Sequence, residues 1–399
     1  MLQLSFVNYR KGSYLFVEGK SDSDRFLIIQ NGRVQCHQEV EIPGSTSVIL
    51  GPGDFVGVIP CMSNHLQIET VIALTDVTCI SVRRDQYSEL IERNTPVAMK
   101  IIRTFANRMR TLNETLTQLT LNNVIQDSPE ELYEIAVHYE KALKYDIAVY
   151  GYYQYIKSCP NGVNINQAKA RFVALKPRSK AVYFESSPDL QRVYPKGTMI
   201  FSECQSGSDM FIIQEGQVLI SKVVDNNEVA LAVLKKGDMF GEMALLENKP
   251  RSASAIAHED CRLMVVNRKN FDQMVATQPQ LIARLTTTLA ERLWSMYRQL
   301  ANTQMTDPVH KLVDRLSLEI EKSKTPLTPN AGYQSDLSLQ DLANMCGIPM
   351  QNQAKCILDF QNLIKLRIQN NRIFVLNSLE LVKLAAYYRN HKQTKQSDK

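Results

Sequence analysis

Residues 9–19 read Tyr9-Arg10-Lys11-Gly12-Ser13-Tyr14-Leu15-Phe16-Val17-Glu18-Gly19, and residues 194–204 read Tyr194-Pro195-Lys196-Gly197-Thr198-Met199-Ile200-Phe201-Ser202-Glu203-Cys204. The second stretch is a diverged copy of the first, and the sequence after each repeats as well. Phe26 to Gly32 (Phe-Leu-Ile-Ile-Gln-Asn-Gly) is matched by Phe211 to Gly216 (Phe-Ile-Ile-Gln-Glu-Gly), and the turn Gly53-Asp54 by Gly237-Asp238. Short β-branched runs punctuated by glycine turns predict a small antiparallel barrel of jelly-roll type in each copy.

A long amphipathic helix is expected after each barrel. Ile102, Phe105, Met109, Leu112, Leu116 and Leu119 follow spacings of three and four, and Ile282, Leu285, Leu289, Leu293, Met296 and Leu300 do nearly the same. Such stripes are the seam of a helix pair. Docking on its own barrel explains the upper part of each seam, but both run well past it. Two seams in one chain predict an intrachain pseudo-dimer, with pairing between two chains as a homodimer the alternative.

Residues 128–178 between the copies have helical character. Ala136, Tyr139, Ala148, Tyr152 and Pro160 fall where a tetratricopeptide-type hairpin places small, aromatic and terminating residues. One repeat falls short of the roughly three that a solenoid needs. The segment is therefore read as a helical spacer packed on a neighbouring barrel, with a peptide-binding groove as the other option.

Composition narrows the class. The chain has 399 residues, 44% hydrophobic and 22% charged, with a net charge of +5, ordinary values for globular domains. From Leu339 onward nine Lys/Arg stand against four acids, so the whole positive excess lies at the C-terminal end. That placement suits a domain that meets phosphate. The eight cysteines (36, 61, 79, 159, 204, 261, 346 and 356) show no CxxC or CxxxC pairing, which argues against a metal site or disulfide frame and fits a reducing cytoplasm. No charged segment leads into an apolar run at the start, and no stretch approaches about 20 apolar residues, so neither signal peptide nor membrane span is expected.

The chemistry concentrates in Phe240-Gly241-Glu242-Met243-Ala244-Leu245-Leu246, followed by Pro250-Arg251-Ser252-Ala253. Gly241 lets backbone approach a ligand closely, and Glu242 to Leu245 form one helical turn whose N–H groups face an anion. Glu242 accepts a hydrogen bond from a hydroxyl, Arg251 offers a planar cationic fork, and Ser252 adds a small donor. The set suits a compact phosphate ester with a neighbouring hydroxyl.

This segment resembles the phosphate-binding cassette of the cyclic-nucleotide-binding domains, shared by bacterial cyclic-AMP receptor proteins and eukaryotic cyclic-nucleotide-regulated kinases and channels. The resemblance implies a cyclic mononucleotide, cyclic AMP or cyclic GMP, as ligand. It implies that Gly241 and the amides through Ala244 bind the cyclic phosphate, Glu242 the ribose 2′-OH and Arg251 an exocyclic oxygen. Phe240, Met243, Leu245, Ser252 and Ala253 complete the lining. Where bacterial members carry a Thr-Ser pair that reads the purine, this chain has Met296 and Tyr297, and Tyr297 is expected to stack on the base. The first copy has Val58 in place of the glutamate and Gln67 near the arginine's position, so it lacks both polar anchors. A cyclic phosphate there would lose its hydration uncompensated, and the first barrel is read as a structural or interaction copy.

Residues 338–376 read as a capped short helix, a glycine turn at Gly347, a second helix to about Leu363 and a hairpin from Arg367 to Val375, a winged helix-turn-helix. The segment resembles the DNA-binding domain of the cyclic-AMP receptor family, and that resemblance runs from about 190 to 376. Family recognition helices open with Ser-Arg-Glu-Thr and a second arginine; here stand Pro349, Met350, Gln351, Asn352 and Lys355. Gln351 and Asn352 suit adenine edges, Lys355 suits guanine or phosphate, and Arg367 and Arg372 suit phosphate.

The expectation is an α+β multidomain chain: a degenerate barrel plus long helix over 1–122, a helical spacer over 123–182, a nucleotide-binding barrel plus long helix over 183–302, a winged helix-turn-helix over 303–378 and a basic tail over 379–399. No catalytic constellation is found among the six histidines, nor any phosphate-transfer motif. Two readings follow: a cytoplasmic, ligand-gated DNA-binding transcription regulator, or a nucleotide-gated interaction protein whose winged helix no longer reads DNA.

Overall fold

The computed structural model describes residues 5–390 apart from 22, 39–46, 122–127, 183, 186, 188, 225–226, 248, 324–325, 329–330 and 336. The sequence repeat is a repeat of sheet topology. In the first copy one sheet runs Ser5–Tyr9, Val77–Arg83, Arg25–Asn31, Phe55–Val56, and the other Tyr14–Phe16, Thr70–Ala73, Val34–His37, Val48–Leu50. The second copy gives the same order: Gln191–Tyr194, Cys261–Val266, Met210–Glu215, Met239–Phe240, and Met199–Phe201, Ser254–Ala257, Val218–Val224, Asn227–Leu234. Among the described residues the strands of all four sheets pair antiparallel. Even the irregularities repeat, with a register shift between Tyr14 and Phe16 in one copy and between Met199 and Phe201 in the other.

Each copy leads into a long helix, Thr95–Leu121 and Pro279–Thr303. Pro279 opens the second helix at a position where its missing N–H costs nothing. The two helices pack on each other within the chain. Ile101, Phe105, Met109 and Leu112 share one core with Ile282, Leu285, Leu289 and Leu293, and that core also takes in Phe26 of the first copy and Met243 of the second. From the short helix Tyr87–Arg93, which precedes the first long helix, the Tyr87 hydroxyl meets Thr286 Oγ1 of the second long helix at 3.0 Å. The seam ends earlier than its sequence pattern, because Leu119 is 43% exposed while Leu116 is buried.

The spacer has three helices, Glu131–Lys141, Tyr145–Ser158 and Ile165–Leu175, one more than a hairpin. Its tyrosine-rich core runs without a break into Met199, Cys204 and Ile256 of the second copy. Tyr139 and Lys144 both bond Glu228 there, at 3.1 and 2.6 Å.

The C-terminal unit begins with Pro308–Lys322, capped by the Asp307 carboxylate, which accepts from the N–H groups of Val309 and His310 at 2.7 and 3.2 Å. Helices Leu339–Met345 and Met350–Leu363 follow, then the strands Leu366–Gln369 and Arg372–Val375, which join Tyr333–Gln334 in a small sheet. Where a tail was expected from 379, the chain forms a further helix, Ser378–Asn390. Leu381 and Ala385, four residues apart, bury one face of it with Leu312 and Leu316. The tail lysines beyond 390 lie outside the described residues. The unit is tied to the second long helix by buried charge. Asp314 accepts from Arg298 Nη2 at 3.0 Å and Asn302 Nδ2 at 3.1 Å, and also pairs with Arg389. Burial alone would raise the Asp314 pKa, but Arg298 and Arg389 outweigh it and hold the carboxyl below its ordinary value.

All eight cysteines are buried and no disulfide joins them. Burial pushes the Cys61 thiol up to about 12 and the Cys79 thiol to about 11. No described helix is long and apolar enough to cross a membrane.

Leu112 and Leu289, one on each long helix, are both buried in the shared core. Truncating either to alanine should cost about 2–5 kcal/mol of unfolding free energy. Urea denaturation of the full chain measures it, and losses below about 1 kcal/mol at both positions would mean that the helix pair is not the core of the molecule.

Candidate functional site

Gly241 sits at φ 76°, a left-handed conformation that glycine adopts without steric cost. A Cβ there would also lie 2.7 Å from Arg251 Nη1 and 3.1 Å from the Asp209 carbonyl oxygen. Its turn launches the short helix Glu242–Glu247, whose first N–H groups have no acceptor within the helix. Phe240, Glu242, Met243, Ala244 and Leu245 are all buried, while Ser252 and Ala253 are half-buried.

Glu242 does not wait unpaired. Its Oε1 accepts from Arg292 Nη1 at 2.9 Å, and Arg292 Nη2 donates to the Met239 carbonyl at 2.5 Å. The second long helix therefore grips the cassette by its glutamate. Arg292 was not among the residues expected to matter.

Arg251 is 5% exposed. Its guanidinium lies 4.2 Å over the Phe201 ring, and Nη1 donates to the Gly241 carbonyl at 2.8 Å. Its Nε–H is buried and makes no hydrogen bond, and the nearby Ser202 Oγ is likewise buried and unbonded. Burial lowers the guanidinium's pKa to about 10, against the opposing pull of Asp209, Tyr150 and Glu242. A buried cation with an idle donor is what an incoming anion would satisfy, so the residues present fit a phosphate ester.

The first copy has the same turn without the chemistry. Gly57 is also left-handed, at φ 75°, but it opens onto buried Val58, and Gln67 stands at the place of Arg251.

The long helices cross-connect the two copies. The offset that carries Gly57 onto Gly241 also carries Ala106-Asn107-Arg108-Met109 onto Ala290-Glu291-Arg292-Leu293. Applied farther along, it pairs Arg110 with Trp294 and Asn113 with Tyr297. Arg110 of the first helix reaches the second cassette, donating to the Pro250 carbonyl at 3.4 Å, and Asn113 Nδ2 lies 4.0 Å from Met243 Sδ. Trp294 of the second helix stacks on His65 of the first copy, ring centres 3.7 Å apart.

Tyr297 is the correction that follows. It was expected to stack on a base in the second copy, but it is half-buried beside the first, where its hydroxyl bonds Gln38 and Arg108 next to Glu69. Arg108 in turn pairs with Glu69 at 3.7 Å. On a helix lying between two sheets, one residue's rotation decides which copy it faces. The side chains brought to the second cassette from the seam are Arg110 and Asn113, and the repeat offset was the signal that could have found them.

In the C-terminal unit, Gln351, Asn352 and Lys355 are exposed on helix Met350–Leu363, and Arg367 and Arg372 are exposed on the adjoining hairpin. Gln353 turns inward instead, donating to the Ile348 carbonyl at 2.7 Å and so fixing the turn between the two helices. Among the described residues, no group of three or more His, Cys, Asp or Glu side chains could hold a metal ion.

Comparison with known proteins identifies the repeated unit. The cyclic nucleotide-binding domain family matches the chain twice, over residues 6–94 and 191–278. A CRP-like cAMP-activated global transcriptional regulator of Mycobacterium tuberculosis is 25% identical over 193 residues, 48% of this chain and 86% of that protein. The cyclic AMP receptor protein of Thermus thermophilus is 35% identical over 104 residues, 26% of this chain and 48% of that protein. Among solved structures, a CooA variant from Carboxydothermus hydrogenoformans aligns over 50% of this chain and 87% of its own, with 20% identity and a TM-score of 0.41. The chain therefore carries the cyclic nucleotide-binding domain twice, and its relatives among characterised proteins are CRP-like, cAMP-activated transcriptional regulators.

Proposed function

We propose that the chain is a cytoplasmic, cyclic-nucleotide-responsive DNA-binding transcription regulator, with the ligand in the second copy and a C-terminal winged helix-turn-helix as reader. One observation carries the assignment of the ligand to that copy. Arg251 is buried with an idle Nε–H beside Gly241 and Glu242, whereas Gln67 and Val58 stand at the matching places of the first copy.

The gating follows from what holds Glu242. A ribose hydroxyl donating to its carboxylate competes with Arg292, and Arg292 belongs to the second long helix. The same helix carries Arg298, which is fastened to Asp314 and Glu321 of the reader at 3.0 and 2.8 Å. Nucleotide thus changes the load on a helix whose other end holds the DNA-binding unit. The shift is limited to the difference in the ligand's affinity for the two arrangements. Asn113 is the residue best placed to meet the base. A second reading, a nucleotide-gated interaction protein, draws on the outer face of helix Met350–Leu363, where Met350 is 84% and Leu358 58% exposed.

Arg251→Leu should weaken cyclic AMP or cyclic GMP binding about 10- to 150-fold, the range of a hydrogen bond to a charged group. Glu242→Gln, which keeps a neutral acceptor, should cost less. Isothermal calorimetry measures both, and unchanged affinity in Arg251→Leu would remove the site from this cassette.

Replacing Lys355, Arg367 or Arg372 with alanine should weaken all DNA sequences alike and flatten the salt slope by about one unit each. Gel shifts over a genomic fragment library check this. No retention at low salt, with or without nucleotide, would favour the interaction-protein reading.

A further inference from the structure

We propose that the helical spacer is part of the nucleotide site's frame, with Tyr150 acting through Gln205 as a positioning residue for Arg251. This rests on the reading of Arg251 as the phosphate-binding arginine.

The loop from Phe201 to Gly207 surrounds Arg251. Backbone bonds bracket it on both sides: the Cys204 N–H donates to the Arg251 carbonyl at 2.8 Å, and the Arg251 N–H donates to the Gln205 carbonyl at 2.9 Å. Phe201 lies under the guanidinium at 4.2 Å. Gly207 closes the far side so tightly that a Cβ would stand 2.8 Å from Nη2 and 2.9 Å from Nε. The loop is turned by Cys204, which sits at φ 62°, an uncommon conformation for a residue with a Cβ.

What fixes this loop is Gln205. Its Oε1 accepts from the Ser202 N–H at 2.9 Å, within the loop, and from the Tyr150 hydroxyl at 2.9 Å. Tyr150 belongs to spacer helix Tyr145–Ser158 and is itself buried. Its hydroxyl also lies 3.4 Å from the Ile200 carbonyl.

The first copy serves as an internal control. It has the same backbone bridge, with Gly19 N–H donating to the Gln67 carbonyl and Gln67 N–H to the Lys20 carbonyl, both at 2.9 Å. There Lys20 stands at the place of Gln205, and the bridge holds a glutamine. The fold supplies the bridge twice, but the spacer's tyrosine meets it only where the bridge carries the arginine. A guanidinium already held in its bound geometry loses less freedom when the ligand arrives.

The test is calorimetry with cyclic AMP on the full chain. Tyr150→Phe, which keeps the ring and removes the donor, should lower affinity about 3- to 10-fold, and Gln205→Ala should do the same. The two changes together should be no worse than either alone. In an Arg251→Lys background the Tyr150→Phe effect should fall below about twofold, a coupling that general loosening of the barrel would not produce. Wild-type binding with Tyr150→Phe within about twofold of it overturns the proposal, as does a loss that persists unchanged in Arg251→Lys. Failure of the wild type to bind any cyclic nucleotide would instead overturn the site reading beneath it.

Discussion

The packing of helix Thr95–Leu121 against helix Pro279–Thr303 is the constraint on which the rest depends. One continuous core extends from Phe26 in the first copy through both helices to Met243 beside the second cassette. Each buried leucine or isoleucine in it contributes roughly 1.5–3 kcal/mol. Because both helices belong to one chain, neither copy can be displaced without opening the core of the other. The first copy, which lacks the arginine and the glutamate, is in this sense a built-in partner: it supplies the surface against which the second helix is held.

That arrangement makes the two halves unequal by design of their side chains rather than of their fold. Both copies share sheet order, bulges and left-handed cassette glycine. Among the positions where they differ are those of Glu242 and Arg251, at which the first copy has Val58 and Gln67. The second helix carries contacts to the first copy, the cassette and the C-terminal unit. Trp294 stacks on His65, Arg292 holds Glu242, Arg298 stacks on Trp294 at 5.2 Å and pairs with Asp314. The first copy, the cassette and the C-terminal unit therefore meet on a run of seven residues of one helix.

Much of this was legible in the sequence because it is local or periodic. The repeat, the glycine turns, the two seams and the cassette are patterns of spacing, and the structure brings Gly241, Glu242 and Arg251 together as that spacing implied. Other features were not legible, because they depend on how distant segments rotate against one another. Tyr297 lies on the expected helix, but its direction is set by the crossing of two helices whose residues are far apart in the chain, and it faces the first copy. Leu119 keeps the heptad spacing, yet it is 43% exposed. Helix Ser378–Asn390 has a weak apolar stripe in a basic context, and only the surface of helix Pro308–Lys322 makes it a helix rather than a tail. The Tyr150–Gln205 contact joins elements that no motif links.

The central claim is that one chain is a complete, asymmetric pair with a single nucleotide site. Calorimetric titration of the full chain with cyclic AMP, run beside light scattering on the same sample, tests it most directly. The account predicts one nucleotide per chain, bound by a species with the mass of one chain at every concentration. Two equivalent nucleotides per chain, or a dimer that separates only when the Leu112 and Leu289 seam is broken, would contradict it.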